Sequence, residues 1–256
     1  MDFGGDIARW QRRGNECAEG VSRRRTVLEA LAPQLGHRVL DAGCGGGHLA
    51  REIANAVGSN GEVLGIDLSD NQVNAARAFC ADVPTISIEK ADVTGLLLPD
   101  ASFDGVTSIQ VLEYVADVKV ALSEIGRVLK PGTTAVLVSM LWDTYRFAGA
   151  EKGLNERIHE AWRAHCPHQM LPASMPALLK ETGFRGISQK PILSYNTMRT
   201  EDFQGYWSSL LVASFAVDQG VSEDDARKWL DQLDKAAAEN RYCFVTTPVV
   251  TVATCI

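Results

Sequence analysis

The 256-residue sequence contains 46% hydrophobic and 22% charged residues, proportions that are typical of a globular protein and exclude a disordered chain. Its formal net charge of −7 at pH 7 disfavours nucleic acid as a partner, because a phosphate backbone repels an acidic surface. The length suits one large domain of helices and strands.

Neither the basic residues nor the cysteines of the sequence indicate a binding or metal site. The basic cluster near the N-terminus is expected to be a solvated helix face, and it consists of Arg12, Arg13, Arg23, Arg24 and Arg25. None of the cysteines has the C-x-x-C spacing of metal or redox sites; they are Cys17, Cys44, Cys80, Cys166, Cys243 and Cys255. This pattern favours a reduced, cytoplasmic protein without a metal.

The N-terminus and the apolar runs argue against export and membrane insertion. Asp2 and Asp6 stand where a secretory signal would be basic and then apolar. No uninterrupted apolar run approaches the roughly 18 residues of a membrane span. We therefore expect a soluble protein with no membrane partner.

In the first half of the chain, apolar runs alternate with helical patterns, which predicts β-α-β units in a parallel sheet. The predicted strands are 37–42, 62–67, 85–89, 103–109 and 134–140. Ser69 or Asp70 is expected to cap the helix after the second strand, and Lys130 to close the helix after the fourth.

In the second half, a helix over 151–167 places His165 on an apolar stripe with Leu154, Ile158 and Ala161. A short helix then ends at Gly183. The later predicted elements are a strand at 184–192, helices at about 201–217 and 222–239, and a final strand at 241–255.

The later of these two helices has its own start signal, because Ser222 and Asp225 have capping-box spacing. We expect a single domain over 1–256. Its N-terminal helices, 1–35, and a helical insertion at about 193–240 are expected to form a cap over the open edge of the sheet.

A strand runs into a glycine cluster and then directly into a helix at 38–52, "RVLDAGCGGGHLARE". Gly43 and Gly45 to Gly47 lack the Cβ atoms that would keep a ligand from the turn, and the helix offers its N-terminal amides. A nucleotide-like ligand is predicted, and a tight turn built only for packing is the alternative. Asp67 ends the next strand, where an acid accepts hydrogen bonds from two ribose hydroxyls.

Two ligand classes fit this geometry, a nicotinamide dinucleotide and S-adenosylmethionine, and Asp41 distinguishes them. A carboxylate two residues before the first glycine repels a pyrophosphate, whereas it attracts the ammonium and sulfonium groups of S-adenosylmethionine. Asp92 follows the third strand, where it can accept a hydrogen bond from the adenine amino group, and Gln110 ends the fourth. We expect S-adenosylmethionine in preference to NAD.

Four segments in order resemble the motifs of class I S-adenosylmethionine-dependent methyltransferases: "VLDAGCGGG", "GIDLS", "ADVTGLLLPDASFD" and "VLEYVADVKVALSEIGRVLKPG". The resemblance runs from about Thr26 to Gly132 and is strongest to small-molecule enzymes similar to the ubiquinone-biosynthesis methyltransferases. It implies a Rossmann-like α/β fold, with an open, mostly parallel seven-stranded sheet, helices on both faces and a reversed last strand. It also implies S-adenosylmethionine as the cofactor.

The resemblance assigns parts of the cofactor to single residues. Gly43 and Gly45 would line the methionine portion, Asp67 the ribose, Leu68 one adenine face, Asp92 with Val93 the adenine edge, and Gln110 the amino-acid end. Packing alternatives stay open for Leu68, as a core residue, and for Gln110, as a strand cap. Cys44 and His48 are interpreted as packing residues.

Ligands of open α/β sheets bind at the carboxyl ends of strands, so the segment "MLWDTYRF" at 140–147 is the predicted wall of the acceptor site. Trp142, Asp143, Tyr145 and Phe147 are the substrate-site candidates in this segment. A buried aromatic cluster is the alternative. Further aromatic residues are expected to close over the cleft, namely Tyr195, Tyr206, Trp207 and Trp10.

Methyl transfer is a direct displacement that depends mainly on alignment, and a base matters only for a hydroxyl or a protonated amine. The candidate catalytic residues are His168, then Tyr145 and His165. For His165 a satisfied core histidine is the preferred alternative, because it shares the apolar stripe.

We therefore expect methyl transfer to oxygen, nitrogen or carbon of a small, largely apolar or aromatic metabolite, in natural-product biosynthesis. A homo-oligomer is compatible with the sequence. The alternatives are a non-catalytic adenosylmethionine-binding partner subunit and, less favoured, a nicotinamide oxidoreductase.

Overall fold

A computed structural model describes residues 5–256. In it the glycine turn follows the first strand of a large sheet. The helices are α1 Gly5–Glu16, α2 Ala18–Leu31, α3 His48–Val57, α4 Asp70–Phe79, α5 Val118–Val128, α6 Lys152–Trp162, α7 Leu171–Glu181, α8 Gln204–Asp218 and α9 Glu223–Ala238. The strands are β1 Arg38–Ala42, β2 Glu62–Asp67, β3 Ile86–Lys90, β4 Phe103–Ile109, β5 Leu129–Met140, β6 Arg146–Ala148, β7 Phe184–Pro191, β8 Ser194–Asn196, β9 Cys243–Thr246 and β10 Pro248–Cys255.

The chain forms two compact units. The sheet unit consists of Arg24–Met140, Met170–Pro191 and Val249–Ile256. The helical unit consists of the segment that ends at Arg23, Leu141–Gln169 and Ile192–Pro248. The predicted cap role of the N-terminal helices and of the insertion stays a prediction, and Asp2, part of the argument against a secretory signal, lies outside the described residues.

The sheet unit contains a seven-stranded sheet in the order β3-β2-β1-β4-β5-β10-β7. Neighbouring strands from β3 to β5 are parallel, and β10 runs antiparallel to β7. Continuous apolar stretches such as Val39-Leu40 on β1 are fully buried, as expected of a parallel sheet covered on both faces. The predicted Rossmann-like methyltransferase fold with its reversed last strand is therefore confirmed.

Several predicted boundaries differ from the structure, among them the helix over 151–167, which ends at Trp162, and a proline explains two others. The predicted final strand at 241–255 is two strands, β9 and β10, in different sheets; Pro248 lacks the N–H that a continuous ladder needs. Helix α5 ends at Val128 rather than at Lys130, and Leu129 already pairs with Phe103 on β4. Pro131 disfavours a helical conformation at Lys130, which lies in β5.

The helical unit contains a small antiparallel sheet in the order β6-β9-β8 and the helices of the insertion. The predicted cap of α9 is present, because the Ser222 hydroxyl accepts a hydrogen bond from the Asp225 amide at 3.1 Å. Trp229 on α9 donates through Nε1 to Asn155 Oδ1 on α6 at 2.8 Å. None of the helices in the described part of the chain is long and apolar enough to span a membrane.

The basic cluster is not a solvated face throughout. Arg23 and Arg24 are buried, and each guanidinium has a polar partner in its own unit. Arg23 donates to Asn15 Oδ1 at 3.0 Å, and Arg24 forms an ion pair with Glu52 at 2.7 Å. Arg23 and Arg24 therefore stabilise the packing of the chain. The run of arginines in the sequence did not indicate this.

Candidate functional site

The glycine turn after β1 is held by backbone hydrogen bonds. The amides of Gly43 and Cys44 both donate to the carbonyl oxygen of Ile66 on β2, at 2.7 and 2.8 Å. Gly43, Gly45 and Gly47 have φ angles of 78°, 53° and 85°. Because side chains strongly disfavour this left-handed region, glycine is needed for the path of the backbone.

The glycines differ in what surrounds them. A Cβ atom on Gly43 would lie 2.0 Å from Val111 Cγ2, and one on Gly47 would lie 2.8 Å from Cys80 Sγ. These two glycines are therefore required by packing. A Cβ atom on Gly45 would meet only Gln72 Oε1, at 4.0 Å. Gly45 thus leaves the open backbone surface that a ligand needs.

Asp67 ties the end of β2 to this turn. Its carboxylate accepts hydrogen bonds from the amides of Gly45 at 3.0 Å and Ser69 at 2.9 Å. Burial raises the pKa of Asp67, and the hydrogen bonds from Ser69, Gly45 and Leu68 oppose that shift. A carboxylate held in this way retains lone pairs for ribose hydroxyls.

Asp41 is an almost fully buried acid, 2% exposed, at the end of β1. Its Oδ1 atom accepts a hydrogen bond from the Thr107 hydroxyl at 3.0 Å. Within the described residues its Oδ2 atom has no hydrogen-bond partner. Burial raises the pKa of Asp41 to about 7, and the charge of Asp67 also raises it, whereas the Thr107 hydroxyl and the backbone amide of Ala50 on α3 lower it.

The other predicted cofactor residues follow the carboxyl ends of β2, β3 and β4. Leu68 is 63% exposed, which excludes the core alternative, whereas Val93 is buried. Asp92 is exposed and accepts hydrogen bonds from the amide and hydroxyl of Thr94, at 2.8 and 2.7 Å.

Gln110 combines the strand-cap alternative with an unusual backbone. Its amide donates to the carbonyl oxygen of Val138 at 2.8 Å, and its φ angle is 55°. A left-handed conformation is costly for a residue with a side chain and is often found at ligand sites. The geometry is compatible with the predicted contact to the amino-acid end of the cofactor.

The sequence interpretation missed two residues of this site and a buried acid two positions after one of them. Thr107 supports Asp41, Val111 packs on Gly43, and Glu113 is fully buried with Oε1 accepting from the Met140 amide at 3.0 Å. Glu113 carried a signal, because an acid inside the apolar run "QVLEYV" predicts a buried acceptor with a specific donor. Thr107 and Val111 carried none, since a threonine within a strand and a valine just after it are both ordinary in an apolar run.

The predicted substrate aromatics lie inside the helical unit. Trp142, Tyr145 and Phe147 are buried in a cluster where Tyr145 stacks on Trp162 at 6.0 Å and Phe147 stacks on Phe244 at 4.5 Å. This packing corresponds to the buried-cluster alternative. Their role as a substrate wall stays a prediction.

The polar candidate side chains of this unit, those of Tyr145, Asp143 and Tyr195, differ in exposure. Burial raises the pKa of the Tyr145 hydroxyl, which is hydrogen-bonded to Ser208. Asp143 is exposed and forms an ion pair with Arg163, and Tyr195 on β8 is 59% exposed. The structure thus places Asp143 and Tyr195 outside the buried aromatic cluster.

The two histidine candidates have different environments. His165 is buried, stacks on Trp162 at 4.0 Å, and its Nδ1 lies 2.6 Å from the Trp162 carbonyl oxygen. Burial lowers the pKa of His165 to about 4. This environment is that of a core histidine. His168 is half-buried and lies beyond the short 3-10 turn Arg163–His165. The role of either histidine as a base stays a prediction.

A family model described as a methyltransferase domain matches residues 40–137, the stretch that carries the glycine turn and the acids at the strand ends. An O-methyltransferase from Aspergillus sclerotiorum is 31% identical over 185 residues, which cover 70% of this chain and 67% of that protein. A demethylmenaquinone methyltransferase from Staphylococcus aureus is 38% identical over 113 residues, covering 44% and 47%. The chain spans about half the length of the curated relatives it matches, from 34% to 67% in four of them.

Among solved structures, the YcgJ protein from Bacillus subtilis has the same fold. Its TM-score is 0.62 at 19% identity, over 90% of this chain and 97% of that chain. The family match confirms the predicted cofactor, S-adenosylmethionine. On the sequence identity over two thirds of both chains, together with this fold, the chain belongs to the class I S-adenosylmethionine-dependent methyltransferase family.

Proposed function

We propose that the chain transfers the methyl group of S-adenosylmethionine to a small, largely apolar or aromatic metabolite. The observation that carries this proposal is the buried Asp41 carboxylate at the glycine turn. One of its oxygens has no partner among the described residues, and Gly45 leaves open backbone nearby in the turn. Such a carboxylate repels the pyrophosphate of NAD and attracts a cation.

The residues at the sheet edge fit the cofactor. Asp41 attracts its ammonium and sulfonium groups, and Gly43 and Gly45 line the methionine portion. Asp67 accepts from the ribose hydroxyls through the lone pairs that its two amide donors leave. Leu68 covers one face of the adenine, for which its exposure leaves it available.

Two further residues complete the proposed cofactor set. Asp92 with Val93 borders the adenine edge, and the exposed Asp92 carboxylate is available to the amino group. Gln110 holds the amino-acid end, for which its left-handed backbone presents the side chain after β4.

The cofactor supplies a methyl group on a sulfonium, an activated donor that the acceptor atom takes by direct displacement. The chain aligns the two reactants, and this positioning accounts for much of the expected acceleration. We propose His168 as the base when the acceptor is a hydroxyl or a protonated amine, because it is half-buried and an imidazole nitrogen can accept a proton. Tyr145 and His165 rank below it, since both are buried.

The proposed acceptor class rests on the net charge of the chain and on the names of its relatives. The net charge of −7 disfavours RNA or DNA. One relative is named an O-methyltransferase and another a demethylmenaquinone methyltransferase, and the second name supports a quinone-like acceptor. A role in natural-product biosynthesis is part of the proposal. We propose that the segment 142–147 with Tyr195 recognises the acceptor; in this set Asp143 and Tyr195 are exposed, whereas Trp142, Tyr145 and Phe147 are buried in the aromatic cluster. We also propose a cytoplasmic location.

A turnover screen tests this function. The protein is incubated with S-adenosylmethionine and sets of phenols, amines, indoles and prenyl compounds, and S-adenosylhomocysteine is quantified by mass spectrometry. We expect turnover with at least one aromatic or prenyl acceptor and much less with Asp41→Asn. A protein that binds the cofactor but turns over with none of these classes is the non-catalytic partner subunit. A protein that binds NAD more tightly is the oxidoreductase.

A further inference from the structure

Asp41 and Thr107 face each other across two central strands. They are directly paired in the parallel register between β1 and β4. Both are buried, and the Thr107 hydroxyl lies 3.0 Å from Asp41 Oδ1. The same hydroxyl lies 3.5 Å from the Leu40 carbonyl oxygen, a longer distance. Because a hydroxyl has one hydrogen to donate, the shorter contact indicates that Asp41 receives it.

The other carboxylate oxygen is in a different situation. Asp41 Oδ2 is buried, and no donor among the residues that the structure describes meets it with full hydrogen-bond geometry, although the Ala50 amide on α3 lies near enough to the carboxyl to lower its pKa. An unpaired buried acceptor is costly, and more so when it carries charge. A cation with N–H donors that binds against this oxygen supplies the missing hydrogen bond and offsets this free-energy cost.

We propose that Thr107 is a positioning residue for Asp41: its hydroxyl fixes one carboxylate oxygen, so that the other is presented to the cationic methionine end of S-adenosylmethionine. This inference rests on the proposed function and adds a residue outside the glycine turn. Thr107 acts only through Asp41 and touches no reacting atom.

The pairing also controls when Asp41 carries its charge. With its pKa near 7, Asp41 is largely protonated in weak acid, and a cationic ligand must displace that proton in order to bind. Cofactor affinity is therefore expected to rise with pH through neutrality. Thr107 lowers the pKa of Asp41, so loss of the hydroxyl moves this rise to higher pH.

The titratable groups around Asp41 set the background for this effect. Asp67, at the end of β2, raises the pKa of Asp41, and the charge of Asp41 in turn raises the pKa of the thiols of Cys44 in the turn and Cys80 after α4. Burial also holds the pKa of Cys44 and Cys80 above the ordinary thiol value, so neither thiol titrates near neutrality. These groups stay the same when Thr107 alone is changed.

Two variants and two ligands test the proposal. Thr107→Val removes the hydroxyl at nearly constant volume, and Thr107→Ser keeps the hydroxyl and removes a methyl group. The ligands are S-adenosylmethionine and 5′-methylthioadenosine, which lacks both the ammonium and the sulfonium. Affinities are measured by calorimetry from pH 6 to 8.5, with melting temperatures as a folding check, and each variant is compared with the parent at the same pH.

We expect Thr107→Val to bind S-adenosylmethionine about tenfold more weakly than the parent at pH 6, which corresponds to about 1.4 kcal/mol. The loss should shrink toward pH 8.5, where Asp41 is ionised in both proteins. Thr107→Ser should bind like the parent. The affinity for 5′-methylthioadenosine should be the same in all three proteins.

Two results would overturn the proposal. One is a Thr107→Val protein with the affinity and pH profile of the parent. The other is an equal loss for both ligands, which would show a general distortion of the site. A parent protein that binds no S-adenosylmethionine at any pH would instead overturn the proposed function, and this inference with it.

Discussion

Val111 occupies the space that a side chain on Gly43 would need. Its Cγ2 atom lies 2.0 Å from the position of a Cβ atom on Gly43, closer than any real contact. Val111 belongs to the segment after β4, and Gly43 to the turn after β1. The first glycine of the turn therefore joins two of the family motifs by close packing.

This relationship predicts the effect of Gly43→Ala. The new methyl group clashes with Val111, and the φ of 78° is strained for alanine, so the free energy of unfolding should fall by about 2–4 kcal/mol. Urea denaturation measures it. The double variant Gly43→Ala/Val111→Ala removes the 2.0 Å contact with Cγ2 and leaves Val111 Cβ at 3.0 Å, so the loss caused by Gly43→Ala should be smaller in a Val111→Ala background than in the parent. An equal loss from Gly43→Ala in the parent and in the Val111→Ala variant would contradict the packing relationship.

Gly45→Ala is the matched comparison, because its methyl group points into open space. The expected stability loss is about 1–2 kcal/mol, from the left-handed backbone alone. Cofactor affinity should nevertheless fall at least about tenfold, because the methyl group takes space assigned to the methionine portion. Calorimetry with S-adenosylmethionine measures this, and unchanged affinity in the folded variant would remove Gly45 from the site.

Asp41→Asn should weaken cofactor binding and raise the free energy of unfolding. The pKa of Asp41 is about 7 in the folded protein against 3.8 for a free side chain, so its stabilising contribution is complete below pH 4 and is lost as pH rises through 7. Asparagine does not titrate. The free energy of unfolding of Asp41→Asn should therefore exceed that of the parent by about 2–4 kcal/mol at pH 8, and the difference should shrink towards pH 4.

Denaturation curves at both pH values check this difference, with cofactor affinity as the second readout. Affinity should fall because the attracting charge is gone. A variant that is less stable than the parent at pH 8 would show that the charged Asp41 carboxylate is fully satisfied in the empty protein, which contradicts an unpaired Oδ2 atom that awaits a cation.

Much of the sheet unit was predictable because its signals are local and strong. Strands β1, β2 and β4 are apolar runs bounded by polar residues, and the acids at the ends of β1 and β2 follow from the strand boundaries. The partner of Asp41 was not predictable. Thr107 is far from Asp41 in sequence, and their pairing depends on the order of the strands.

The helical unit was harder for a different reason. Strands β6 and β8 have three residues each, too few to show an alternating pattern. The burial of the aromatic rings depends on later segments, because Trp142 packs against Trp162 on α6 and Tyr145 packs against Phe244 on β9. Spacing alone did not show whether these aromatic side chains face a ligand or one another.

Asp67→Ala tests the ribose assignment. The substitution removes an acceptor for the ribose hydroxyls, and charge-assisted hydrogen bonds of this kind contribute about 1.5–3 kcal/mol each. It also frees the amides of Gly45 and Ser69, so affinity should fall by about 10-fold to 100-fold. Asp92→Ala, at an exposed acid with local contacts only, is the comparison and should cost less. Parent-like cofactor affinity in folded Asp67→Ala would show that the ribose assignment is wrong.

The most direct test follows the methyl group itself. The protein is supplied with methyl-labelled S-adenosylmethionine in mixtures that contain small aromatic and prenyl metabolites, RNA and protein, at low and high salt. If the acceptor is a small apolar metabolite, we expect the label in the small organic fraction. The amount of label should depend little on salt, because apolar contacts rather than ion pairs hold the acceptor. Label found only in RNA or protein, and falling steeply with added salt, would contradict the proposed function.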